Sequence, residues 1–286
     1  MKHFEKLEGY VADGSMRVVQ AVGVPRSMST ALGRALHHAK GPTVYVNEPF
    51  NRHNACPDVA AELLLRHALP LCESQGAPVT VITKSMASYM PFETFRAMEG
   101  LSAATIWTVR DPLVQMGSLM TRLANDRQGG HGTKKITQEE LGPHLDGVAA
   151  YLQDSERSTD FSKTGWQSIG DHYRVRDGRA TSVVVDGQEF VAQPHALLSQ
   201  VCGQVGIKFC EQMVEGWGLD YTNACNGDDK EKTAWSAWTS DAATSTGVVP
   251  VERAPLDLAV LPDSIRRHIA EVALPTYEMM TCPSAL

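Results

Sequence analysis

The segment that most restricts how this chain can fold runs from Val18 to Leu36, Val-Val-Gln-Ala-Val-Gly-Val-Pro-Arg-Ser-Met-Ser-Thr-Ala-Leu-Gly-Arg-Ala-Leu. Its apolar run, Val18 to Val24, reads as a buried strand and stops at Pro25, which cannot serve a central ladder. A short polar turn follows, and from Thr30 onward the pattern predicts a helix. Strand, loop and helix form the unit of a parallel sheet, because parallel neighbours need a crossover connection. The loop of such a unit aims several backbone N–H groups and the positive end of the helix dipole at one spot, which makes an anion site. Pro25-Arg26-Ser27-Met28-Ser29-Thr30 adds hydroxyls and one guanidinium, the groups a phosphate cradle uses. The plainer reading is a strand-to-helix turn rich in Ser and Thr caps.

A second segment, Ala104 to Ser118, repeats the strand, turn, helix order. Asp111 suits a helix cap and Pro112 the first helical position. Arg110 falls at the carboxyl end of the strand, and Ser118 about two turns into the helix. Arg offers a forked donor set suited to a phosphate and Ser a neutral donor. An Arg at a strand end also commonly pairs with a neighbouring carboxylate.

Further strands are expected at Thr43–Val46, Val79–Thr83 and Thr181–Val185, and helices at Pro57–His67, Pro91–Met98, 112–124, Gln138–Glu156, Asp160–Arg174, Gln193–Val205 and Pro262–Met280. Strands alternating with helices imply an α/β fold, a parallel sheet with right-handed crossovers. Ligands of such sheets bind outside the carboxyl ends of the strands, where the polar clusters named here fall. Asn125 to Lys135 is a Gly-rich polar loop, a candidate rim. Asp220 to Ala254 has little periodicity but carries Trp235 and Trp238, which suits a lid. One domain over 1–286 is expected, with a core of about 17–210 and a lid and C-terminal region of about 211–286.

Laid against G-x-x-x-x-G-K-[ST] from Gly23, the second Gly becomes Met28, the Lys becomes Ser29, and only Thr30 fits. The loop resembles instead the 5′-phosphosulfate loop, P-R-S-x-S-T, of sulfotransferases that use 3′-phosphoadenosine-5′-phosphosulfate (PAPS). Arg110 followed eight residues later by Ser118 is similar to the 3′-phosphate site of that family. Val183 to Ile207 resembles the strand and helix that follow the core in its bacterial members. The resemblance implies a P-loop NTPase-like parallel sheet flanked by helices, with helical insertions. It implies PAPS held by Arg26, Ser27, Met28, Ser29, Thr30, Ala31, Arg110 and Ser118, with no metal. Trp235 and Trp238 are candidates for stacking on adenine or acceptor, or for closing the lid; Trp107, inside a strand, is expected in the core.

Sulfuryl transfer is an in-line displacement that needs a base on the acceptor and cations or N–H donors around the bridge. The cytosolic branch of the family takes its base from the His of K-T-H-L-P; here the stretch is Lys84-Ser85-Met86-Ala87, with Met86 at the His position. Lys84 remains, to neutralise the bridging or sulfuryl oxygen alongside Arg26, or is a plain surface lysine. The favoured base is Glu48, in Val46-Asn47-Glu48-Pro49-Phe50, similar to the P-P-E setting of some bacterial members; partial burial would raise its pKa. The other reading is a loop carboxylate paired with Arg52 or Arg26. His53 is the second candidate base.

Net charge −7 and a pI near 5.8 argue against a general nucleic-acid binder. Six cysteines without a C-x-x-C pair read as free thiols of a reducing cytoplasm, and His53 with Cys56 is at most half of a metal site. No signal peptide is expected from the charged N-terminal residues, and no uninterrupted apolar segment reads as long enough to span a membrane. The expected partner is a small-molecule acceptor with a hydroxyl or amine, such as a secondary metabolite, met by a monomer or homodimer. The alternatives are a P-loop small-molecule kinase and a non-catalytic nucleotide-binding regulator.

Overall fold

The computed structural model describes residues 2–50, 56–127, 136–153, 161–176, 178–218, 245–249 and 255–282. Strands β1 (Met16–Gly23), β2 (Thr43–Asn47), β3 (Val79–Met86), β4 (Ser102–Val109) and β5 (Thr181–Asp186) pair in parallel in one five-stranded sheet, in the order β2-β3-β1-β4-β5. The α/β architecture is the one the strand–helix alternation implies. Both faces of the sheet are covered, which is why β1 is apolar almost throughout. Val18 and Val22 point into one apolar cluster, Val19 and Ala21 into another on the opposite face.

The first face carries α1 (Lys2–Ala12), α3 (Pro57–Gln75), α4 (Phe92–Leu101) and α7 (Trp166–Arg174). The second carries α2 (Ser29–His37), α8 (Gly187–Ala192) and α9 (Pro194–Val205). A third cluster joins α5 (Pro112–Arg127) and α6 (Leu145–Gln153) to the C-terminal helix. That helix runs Asp263–His268, widens into a π-helical stretch at Ile269–Ala273 and continues Leu274–Thr281. The wider stretch ends with only Leu274 between it and Pro275, which has no N–H to give to a regular turn.

Several boundaries differ from the sequence expectation. The helix expected from Gln138 to Glu156 begins only at Leu145, because Gly142 and Pro143 support no more than a 3₁₀ turn before it. The one expected over Asp160–Arg174 begins at Trp166, since Gly165 sits at φ +79° and ends the short turn Ser162–Thr164. The helix expected over Pro57–His67 runs on to Gln75 through Pro70 and stops at left-handed Gly76. Helices α1 and α8 were not foreseen. Asp58 accepts the N–H groups of His3 and Phe4 at 2.8 and 2.9 Å and fixes the start of α1. Trp107 is fully buried, as expected, and donates to Ser182 Oγ at 2.9 Å.

Strand order positions the site. The connection leaving β1 runs toward β2, whereas that leaving β3 passes over β1 to β4. The carboxyl ends of β1 and β3 therefore flank the crevice where the connections diverge, the place where open α/β sheets bind ligands.

Two histidines lie within this packing. His172 stacks on Phe95 at 4.6 Å, and His268 stacks on Phe161 at 4.6 Å with Nε2 at 2.9 Å from Thr164 Oγ1. Burial pushes both down to about 4, so both are neutral in the fold at neutral pH. Between that value and the ordinary 6.5 the unfolded chain binds more protons than the folded one. Their contribution is full above the upper value and is lost as pH falls through this window. His172→Phe should therefore gain on the wild type by up to about 1.4 kcal/mol per pH unit of acidification there, read by urea unfolding. A constant difference across the window would contradict this.

Candidate functional site

The loop after β1 turns without glycine. Val24 N–H donates to Thr108 O at 3.3 Å, and Ser27 Oγ donates to Val24 O at 2.7 Å and lies 3.0 Å from Thr108 Oγ1. Arg26 and Met28 both take the left-handed conformation, each at φ +67°. Met28 is thus the residue that replaces the second glycine of the phosphate-loop pattern, and it adopts a glycine's backbone. Such a conformation costs a non-glycine residue on the order of 1–3 kcal/mol and persists only where its surroundings enforce it. Neighbouring glycines make the room. A Cβ on Gly187 would stand 2.5 Å from Ser27 O, one on Gly165 3.1 Å from Pro25 Cδ, and one on Gly23 would collide with Thr108 Oγ1.

Helix α2 starts at Ser29 with Met28 at its N-cap and no side chain capping it. Its first internal bond is Leu32 N–H to Met28 O at 3.0 Å, so the amides of Ser29, Thr30 and Ala31 must be satisfied from outside the helix. An anion at this spot would meet them, with the helix dipole behind.

The second cluster joins the first directly. Arg26 Nε donates to Ser118 Oγ at 3.1 Å, across from the loop to α5. Arg110, at the end of β4, is buried, as is Ser118. Asp111 caps α5 by accepting from Leu113 N–H at 2.8 Å and Val114 N–H at 3.2 Å, as its position predicts.

At the ends of β2 and β3 lies an ion pair that no motif announced. Asn47 is registered against Lys84, which places Glu48 beside it, and Glu48 N–H donates to Lys84 O at 2.5 Å. Lys84 Nζ bonds Glu48 Oε1, with the two side chains only 1% and 2% exposed. The surface-lysine reading of Lys84 is overturned by this burial, and Glu48 takes Lys84 as its partner rather than Arg26. Glu48 is itself left-handed, at φ +53°. Its Oε2 is buried with no hydrogen-bond partner among the described residues. Burial pushes the Glu48 carboxyl up, against the pull of Lys84. Burial pushes the Lys84 ammonium down, partly offset by Glu48, and Arg26 adds to the depression. A proton can therefore move onto this pair at less cost than onto an exposed carboxylate.

The structure thus brings together Arg26, Ser27, Met28, Ser29, Thr30 and Ala31 with Ser118, and sets Lys84 within electrostatic reach of Arg26. His53, Arg52, Trp235 and Trp238 lie outside the described residues, as do most of the expected lid and of the Gly-rich rim. Among the described residues no three His, Cys, Asp or Glu side chains could hold a metal ion, and no helix is long and apolar enough to cross a membrane.

No protein-family model and no curated protein matches the chain. Solved structures similar to it include the sulfotransferase domain from the curacin biosynthetic pathway, 14% identical, covering 90% of this chain and 97% of that one, TM-score 0.46. Others are mouse sulfotransferase SULT7A1 complexed with PAP (12%, 91% and 76%, TM-score 0.44) and a sulfotransferase from Alicyclobacillus acidocaldarius (13%, 79% and 92%, TM-score 0.44). Likenesses at this level assign no chemistry to the chain.

Removing one partner of a buried ion pair strands the other charge, at about 3–5 kcal/mol. Lys84→Met and Glu48→Gln should each lose stability in denaturant unfolding, and the double variant should recover most of the loss. Additive losses would contradict the pairing.

Proposed function

We propose that this chain is a sulfotransferase that moves the sulfuryl group of PAPS to a hydroxyl or amine of a small molecule. The observation that carries the reading is the uncapped start of α2 behind the left-handed Arg26 and Met28, next to a buried Glu48–Lys84 pair. The donor set fits a nucleotide that carries anionic groups at two separate ends. Main-chain amides, hydroxyls and Arg26 suit the phosphosulfate end, and buried Arg110 with Ser118 suits the 3′-phosphate. PAPS, when bound, supplies the sulfuryl group and leaves as adenosine 3′,5′-bisphosphate. Trp235 remains the proposed stacking residue, on the resemblance alone.

On this reading Glu48 is the base. Its raised pKa suits proton capture near neutrality, and its unpartnered Oε2 offers the acceptor hydroxyl a place to donate. Once that carboxylate takes the proton it no longer balances Lys84, whose charge is then released toward the oxygen of the leaving phosphate. Arg26 assists on the same side. His53 is held as the second candidate base. The chain would work in the cytoplasm without a metal, as monomer or homodimer, and its negative net charge suits a neutral or cationic acceptor such as a secondary metabolite.

Transfer of radiolabelled sulfuryl from PAPS to a panel of phenols, alcohols and amines tests this. Glu48→Gln should lower turnover by about 10²–10⁴-fold while leaving bisphosphate affinity within about threefold. Arg110→Ala should weaken bisphosphate binding by roughly 10–100-fold, the loss of a charge-assisted contact. Wild-type turnover in Glu48→Gln would overturn the assignment of the base.

A further inference from the structure

Gln115 lies one turn into α5, wholly buried. Its Nε2 donates to Pro25 O at 2.7 Å, and its Oε1 accepts from Trp166 Nε1 at 3.1 Å. A carbonyl can only accept and an indole N–H can only donate, so the carboxamide has one orientation available. The indole therefore fixes which end of Gln115 faces the anion loop.

Trp166 opens α7 and meets the Tyr277 ring edge-on at 6.4 Å. Tyr277 OH donates to Asp186 Oδ2 at 2.6 Å, and Asp186 Oδ1 caps α8 through Gln188 N–H at 2.6 Å. The first residue of α8, Gly187, is the one whose missing Cβ leaves room for Ser27 O. The contacts thus close a ring that starts at Pro25 and returns at Ser27, with the Gln115 side chain hydrogen-bonded to both the loop and α7.

We propose that Gln115 is a positioning residue. It locks the turn Pro25–Met28 into the shape that presents the amides of Ser29, Thr30 and Ala31, without itself touching the donor nucleotide. This rests on the sulfotransferase reading for the identity of the anion, and on the geometry alone for the locking of the turn.

The test is hydrogen exchange and calorimetry on the full chain, with adenosine 3′,5′-bisphosphate as probe. In Gln115→Leu, exchange at Ser27 to Ala31 should quicken by about tenfold or more, and the Kd for the bisphosphate should rise by a similar factor. Acceptor KM should stay unchanged. Gln115→Glu keeps the acceptor for Trp166, and its protonated carboxyl can again donate to Pro25 O, so its Kd should return toward the wild-type value as pH falls. Should Gln115→Leu fail to fold, Trp166→Phe, which frees the amide to flip, should show the same local exchange. Unchanged exchange at the loop, or an increase spread evenly over the chain, would overturn the proposal. Selective quickening at the loop in Gln115→Leu, together with a wild type that binds no bisphosphate, would uphold the positioning role and refute the sulfotransferase reading.

Discussion

The turn from Pro25 to Met28 is the constraint on which the rest of this site depends. Glycine would make it at no steric cost, but the chain uses Arg26 and Met28, both at φ +67°. Elements from across the sheet converge to hold it. Thr108 comes from β4, Gln115 from α5, Gly165 from the approach to α7, and Gly187 from the start of α8. A loop held from so many directions is pre-organised, and its amides need not be rearranged when an anion arrives. Using Arg26 inside the turn also puts a guanidinium where a glycine loop would have only backbone.

Charge completes the arrangement. Lys84 and Glu48 are buried together at the ends of neighbouring parallel strands, so each compensates the other in a setting where neither would be stable alone. Burial disfavours both charges, raising the Glu48 pKa and lowering that of Lys84, and the proximity of Arg26 pushes Lys84 the same way. A pair poised in this manner stores a proton acceptor and a cation in one place. Both are what a reaction that deprotonates one oxygen and charges another requires.

Much of this was legible in the sequence. The buried strands announced themselves as apolar runs, the turn after β1 as a change from apolar to hydroxyl-rich residues, and the cap of α5 as Asp111-Pro112. Helix α1 was hidden because only Phe4 and Leu7 of its eleven residues are buried, and α8 because six residues hold too little periodicity to read. The start of α6 was misplaced because Gly142-Pro143 interrupts an otherwise helical pattern. Glu48 and Lys84 were each singled out, but their pairing was not, since it depends on the register that sets Asn47 against Lys84. Gln115 carried no signal at all: an amide inside an amphipathic helix reads as solvent-facing until the carbonyl and indole it joins are seen.

The central claim is that this loop is a metal-independent cradle for a sulfonucleotide. Calorimetric titration of the wild-type chain with adenosine 3′,5′-bisphosphate and with ATP, each without and with Mg²⁺, tests it most directly. The account predicts tight binding of the bisphosphate that is indifferent to Mg²⁺, and weaker binding of ATP. Preference for Mg²⁺-ATP would contradict it and assign the loop to phosphoryl transfer.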